Sequence, residues 1–259
     1  MHSMKYAVPR VEELAHAAAA AGQPAIALVD RDNISGAVQF VRACEAVGIA
    51  PILGVDLAVR SASSVLRRPA PVKGGRSVVE SAARVAVLAY GESGWSALCR
   101  LVSRAHARVS PDSPVGTEQC AVTVDDIVEC SPGLVVMLGP QSEIAVHVAR
   151  RRPDLARHAL KPWLALPAGD VLIEVVSHRT APVGQSSHRQ PDYSTAAARR
   201  LLAFAHAVQI PVVMSNAVRY IEPRDEAVAD VLDAVRTLTT IEQAPRTGHG
   251  AHFLDSQQM

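Results

Sequence analysis

Apolar residues recur every three or four positions over Val11–Ala21, with Glu12 and Glu13 at the start and Gly22 just past the end, and this spacing predicts a helix. An apolar run of strand length, Ala25–Val29, follows and ends in the polar turn Asp30–Asn33. Helical periodicity returns over Ser35–Val47 and stops at Gly48, and Ile49–Val59 reads as a second strand with Pro51 near its start. Arg60–Ser77 breaks the pattern with Arg67-Arg68-Pro69, Pro71 and Gly74-Gly75, and is predicted to be a long surface loop. Beyond it come strand Val85–Ala89 with helix Gly94–Ala107, a short helix over Thr123–Glu129, and strand Leu134–Leu138 with helix Glu143–Arg150. Helix Pro153–Trp163, strand Val171–Val176, a polar loop over His178–Pro191, helix Tyr193–Val208, strand Pro211–Met214 and helix Asp225–Leu238 complete the series.

Short uninterrupted apolar strands separated by helices predict a parallel sheet covered on both faces. About six such units point to a barrel or a doubly wound sheet, and in either architecture chemistry belongs at the carboxyl ends of the strands. The positions to inspect are therefore Asp30–Asn33, Asp56, the turn after Leu138, His178 and Asn216–Arg219. Asp30 and Asp32 are a carboxylate pair able to bind a hard cation, or else Asp32 or Asn33 caps the helix from Ser35 with Arg31 as its solvated neighbour. Asp56 reads equally as a ligand or as a hydrogen-bonded structural acid. His106, near a helix end, is suited to contact terminal carbonyls. His249 and His252 fall in an expected tail. There is no GxGxxG, Walker loop, nucleophile elbow or HExxH.

Composition narrows the classes. The 259 residues are 49% hydrophobic, enough to bury a sizeable core, while a net charge of +1 lacks the strong basic balance of a module that grips nucleic acid by charge alone. A neutral chain can still carry a local basic face. Cys44, Cys99, Cys120 and Cys130 form no CxxC pair and stand at no zinc-site spacing, so structural thiols in a reducing cytoplasm are expected. The Ala-rich stretch Ala15–Ala21 is too short to span a bilayer.

At these same positions the sequence resembles a family. Ala25–Phe40 (AIALVDRDNISGAVQF) and Ala46–Asp56 (AVGIAPILGVD) resemble the "ALTDHGNxxGAVxF…AGIKPIIGxE" blocks of the PHP domain that opens bacterial DNA polymerase III alpha subunits. Gly94–His106 (GWSALCRLVSRAH), Ser131–Gly139 (SPGLVVMLG), Ile210–Tyr220 (IPVVMSNAVRY) and Asp230–Val235 (DVLDAV) resemble later blocks, in the same order. The resemblance is nearest to the accessory, error-prone alpha subunits of high-GC Gram-positive bacteria. It implies an α/β fold, a PHP-type distorted (β/α)7 barrel, here lacking its first strand. Residues 1–240 are expected to form the PHP domain, and 241–259, ending in AHFLDSQQM, a tail that would lead into the polymerase region.

Active members of the family hold divalent metals such as Zn, Mn or Mg and hydrolyse phosphoesters, including DNA 3′ ends. Carried over residue by residue, that ligand set is nearly gone. The opening His-x-His has no counterpart, because His2 falls a few residues downstream of it, and Tyr6 takes the place of an Asp. Arg31 replaces a His, Pro140 a Cys, Ala217 an Asp and Arg219 a His. Asp56, in place of Glu, and His106 are the vestigial candidates that remain. A guanidinium repels a cation, so the resemblance implies no metal cofactor and no catalytic residue here. Arg31 and Arg219 are expected to face each other across the barrel mouth, in ion pairs with Asp30, Asp32 or Asp56 or in contact with phosphate. The implied role is a non-catalytic scaffold within a polymerase of replication or translesion synthesis. Its partner would be the polymerase body, in cis or as a split partner, with DNA reached through that body. The alternative is a working metal-dependent phosphoesterase or 3′–5′ exonuclease. A barrel missing a strand exposes unpaired edges, so marginal stability or association is also expected.

Overall fold

Glu13 accepts a hydrogen bond from the Arg10 amide (2.7 Å) and so starts the first helix, α1 (Val11–Ala20), whose buried Val11, Ala15 and Ala18 share one face. A computed structural model describes residues 7–60, 83–109, 120–180, 192–237, 239–242 and 250–254. Strand β1 (Ala25–Arg31) leads into α2 (Ala37–Val47), which stops at Gly48 because that residue takes the left-handed conformation (φ 74°) that returns its N–H to the helix. Phe40 and Cys44 of α2 pack with Val11 and Ala15 in a small core of their own. Next come β2 (Ala50–Arg60), β3 (Ala83–Ala89), α3 (Gly91–Ala107), β4 (Ala121–Thr123) and α4 (Val124–Glu129), the last opened by a reciprocal Thr123–Asp126 cap. Then follow β5 (Leu134–Leu138), α5 (Glu143–Ala149), α6 (Pro153–Leu160) with a 3-10 turn over Lys161–Ala165, and β6 (Val171–Val176). Helix α7 (Thr195–Val208), capped by Ser194, precedes β7 (Val212–Ser215), a 3-10 turn (Pro223–Asp225) and α8 (Glu226–Thr237). The expected loops at 61–77 and 181–191 lie outside the described residues.

The seven strands form one curled, half-barrel sheet in the order β1-β2-β3-β5-β6-β7, with β4 off this path on β2. Pairing is parallel for β1–β2, β5–β6 and β6–β7, but β3 is antiparallel to both β2 and β5. This corrects the all-parallel expectation. The sequence between β2 and β3 carries no helical pattern, and without a crossover element two consecutive strands pair head to tail. The three-residue β4, too short to show a period, continues the edge of β2 where β1 ends, pairing Ala58–Arg60 with Ala121–Thr123. Among the described residues no strand joins the outer edges of β1 and β7, so the sheet is open.

The main core lies between sheet and helices. Val55, Leu57, Val85, Val87, Val136 and Ile173 from the strands meet Leu98 and Leu101 of α3 and Trp163. Cys44 and Cys130 are buried, and all four thiols are free. Residues 250–254, from the stretch read as a tail, form a strap over the loop after β7. Arg219 N–H donates to the Ala251 carbonyl (2.8 Å), Phe253 N–H to Tyr220 (2.9 Å), and Tyr220, Ala229 and Ala251 are buried together. The other end of the strap reaches Gln23, whose side chain donates to the Leu254 carbonyl (3.4 Å), and Val8 N–H donates to the Arg219 carbonyl (2.9 Å). Among the described residues no helix is long and apolar enough to cross a membrane.

Candidate functional site

Strand β1 carries Asp30 and Arg31 at its end, and Asp32 lies in the turn that follows. Asn33 shapes it, donating to the Arg31 carbonyl (2.8 Å) and accepting from the Ser35 amide (3.0 Å) and hydroxyl (2.7 Å). Asp32 adopts a left-handed backbone (φ 58°), which a short polar side chain tolerates, and its amide donates to the Asp56 carbonyl on β2 (2.9 Å). The register of β1 and β2 thus brings Asp32 beside Asp56. Asp30 is buried and accepts from the Gly36 amide (3.3 Å).

A residue absent from the sequence-level candidates joins the two carboxylates. Arg84, only 4% exposed, donates from Nε to Asp56 Oδ2 (2.8 Å) and from Nη2 to Asp32 Oδ1 (2.8 Å) and the Asp56 carbonyl (2.7 Å). Burial, the largest single influence on this guanidinium, works against its charge, but Asp56 and Asp32 more than compensate and hold its pKa above the ordinary arginine range. Arg31 lies 3.9 Å from Asp56 through Nε. The His106 ring Nε2, which must carry the proton because its partner is a carbonyl, donates to Asp32 (2.7 Å). Burial, reinforced by Asp32 and opposed by Arg84 and Arg60, pushes the neighbouring Cys120 thiol up to about 11, so it stays protonated.

Glu174 of β6 was also missed. Its carboxyl is largely buried within range of Asp56, and Ser215 at the end of β7 donates to it at 2.5 Å. Gly139 makes the room, because a Cβ there would collide with Glu174 Oε2. Burial raises the Glu174 pKa, Asp56 raises it further, and the Ser215 bond only partly offsets them. The folded protein therefore keeps this proton to a higher pH than the unfolded chain. Stability contributed by the group falls as pH rises from the ordinary glutamate range toward the raised folded value. Glu174→Gln removes the dependence while keeping an acceptor for Ser215. In urea titrations the variant should gain on the wild type as pH rises above the ordinary glutamate range; a constant gap would contradict this.

Arg219 requires a correction. It was expected at the mouth with Asp30, Asp32 or Asp56, but its fork grips Asp233 of α8, Nη1 to Oδ2 at 2.7 Å and Nη2 to Oδ1 at 3.0 Å, both side chains buried. Asp233 accepts from Arg236 as well (2.7 Å). The planar guanidinium matches both oxygens of a carboxylate at once, and α8 supplies one directly behind the loop. Nearby, the His178 ring donates to the Asn216 carbonyl (3.1 Å) and stacks on Tyr193 with centroids 4.6 Å apart. Burial lowers the His178 pKa, so the ring is neutral near pH 7. Asn216 donates to the carbonyls of Gly250 (2.7 Å) and His252 (2.6 Å), so this cluster holds the strap. His249 lies outside the described residues. Among them no three His, Cys, Asp or Glu side chains are grouped to hold a metal ion.

Known proteins are similar to this chain. An error-prone DNA polymerase of Symbiobacterium thermophilum is 28% identical over 245 residues, covering 90% of this chain and 20% of that protein. The DNA polymerase III alpha subunit of Thermus aquaticus is 26% identical over 224 residues, 86% of this chain and 17% of its own length. The chain thus spans about a fifth of the length of the polymerases it matches. An amidohydrolase structure from Chromobacterium violaceum, with bound sulfate and no metal, superimposes with a TM-score of 0.49 at 14% identity, covering 82% of this chain and 83% of that one. The sequence profile of the PHP domain matches residues 1–178, more than half of the protein, and the chain belongs to the PHP domain family.

Proposed function

We propose that this chain is a non-catalytic PHP domain of a DNA polymerase III alpha-type subunit, serving as a scaffold for the polymerase body. The carrying observation is Arg84, whose buried guanidinium takes the carboxylates of Asp32 and Asp56 that a cation would need. The residues present do not fit a divalent metal cluster. His106 spends Nε2 on a backbone carbonyl, and Arg31 adds a second positive charge beside Asp56. At an effective dielectric near 20, a divalent ion a few ångströms from such cations would be repelled by several kcal/mol. Residues 1–240 would be the PHP unit and 241–259 the connection toward the polymerase region, with DNA reached through the polymerase body.

Elemental analysis of the purified chain, after incubation with Mn and Zn and desalting, is expected to find less than one metal per protein. Labelled DNA 3′ ends and a generic phosphomonoester are expected to remain uncleaved. Stoichiometric metal with turnover that Asp56→Ala and His106→Ala both abolish would establish a phosphoesterase instead.

A further inference from the structure

Between Arg150 and Lys161 the chain carries Arg150, Arg151, Arg152, Arg157 and Lys161 against one carboxylate, Asp154, although the whole protein is nearly neutral. The turn from α5 to α6 is fixed. Arg151 N–H donates to Val148 (3.0 Å) and Arg152 N–H to His147 (2.9 Å), with Arg151 held at φ 58°. Ala156 and Leu160 face the core, so the 3.6-residue period turns Arg157, His158 and Lys161 to the outer side, where all three are exposed. Arg152 holds Asp154 through two bonds (3.0 and 2.7 Å), which neutralises the only acid of the stretch. Helix α6 packs back along α5, and just past its end Pro162 and Trp163 line a cavity with Val59, Ala83 and Ser142.

We infer that the outer face of α6 and the turn before it bind the phosphodiester backbone of nucleic acid without reading bases. With Arg152 engaged by Asp154, three of the four remaining cations are arginines, whose forks match phosphate oxygens. Arg157 and Lys161 are four residues apart, about 6 Å along a helix, close to two phosphate rises of roughly 3.4 Å each along the duplex axis. The face presents no Phe, Tyr or Trp ring for base stacking, and Leu155 lies to one side, so it lacks the apolar centre of a protein interface. This surface is independent of whether the Asp32–Asp56 site is catalytic.

The test is fluorescence anisotropy of a labelled 20-base-pair DNA duplex titrated with the full chain between about 50 and about 200 mM salt. Affinity should fall steeply with salt. The triple variant Arg151→Glu, Arg157→Glu, Lys161→Glu should bind at least about tenfold more weakly and flatten the log–log salt slope by about 2 to 3, near 0.9 for each phosphate no longer neutralised. A control of equal net charge, Arg42→Glu, Arg199→Glu, Arg224→Glu on exposed positions elsewhere, should retain most of the affinity. Circular dichroism establishes that both variants are folded. No binding by the wild type at the lowest salt, equal weakening in the control, or unchanged binding in the triple variant would each overturn the assignment. So would competition by polyglutamate at the same charge concentration as by unlabelled DNA, which would mark a site for acidic proteins.

Discussion

Replacing Arg84 with Met is expected to remove about 3–5 kcal/mol of folding stability, read as a lower urea midpoint at an unchanged slope. The side chain is buried and bridges a carboxylate on β2 and one in the turn after β1, so the change leaves Asp32 and Asp56 side by side without their cation. Loss of packing contributes little, because Met fills a similar length. The distinguishing result is rescue: Arg84→Met with Asp56→Asn should recover part of the loss, because one of the stranded charges is gone. Arg84→Lys should fall between, since an ammonium is a point charge that cannot reproduce the fork. A fully stable Arg84→Met protein would show that the carboxylates reach water, and the electrostatic account of the site would fail.

The second large effect is expected at Asp233. This side chain, 2% exposed, is the shared acceptor of Arg219 and Arg236. Asp233→Ala leaves two guanidinium groups facing each other beneath α8 and should cost about 3–5 kcal/mol. Arg219→Ala keeps one of the two ion pairs and should cost less. A double-mutant cycle between the positions should give a coupling of at least about 1 kcal/mol. Equal losses in both single variants with no coupling would mean that Asp233 acts only as a helix residue.

Most elements were legible because their periods are uninterrupted. Val11, Ala15 and Ala18 mark the buried stripe of α1, and apolar runs mark β5 and β6. Direction was not legible. Strand β3 runs against its neighbours, so its amino end, rather than its carboxyl end, lies at the mouth. A search of strand carboxyl ends therefore passed over Arg84, which holds the site together. Arg31 and Asp56 were read as neighbours from aligned motifs, and their approach depends only on the β1–β2 register. Arg219 was recognised as unusual, but its partner sits on a later helix, and tertiary packing alone selects Asp233 over Asp30 or Asp32. Glu174 did leave a signal, a single acid inside the apolar strand VLIEVV, which marks a buried carboxyl in need of a donor.

The strap has a kinetic consequence. Val8, Arg219 and Ala251 come together only when segments separated by most of the sequence meet at one loop, so these contacts carry the largest loop-closure cost in the fold. They are expected to form after the β2–β3 pairing and to open before it. The clasp between the amino-terminal segment and residues 250–254 should therefore exchange its amide protons sooner than the strands bearing Asp56 and Arg84.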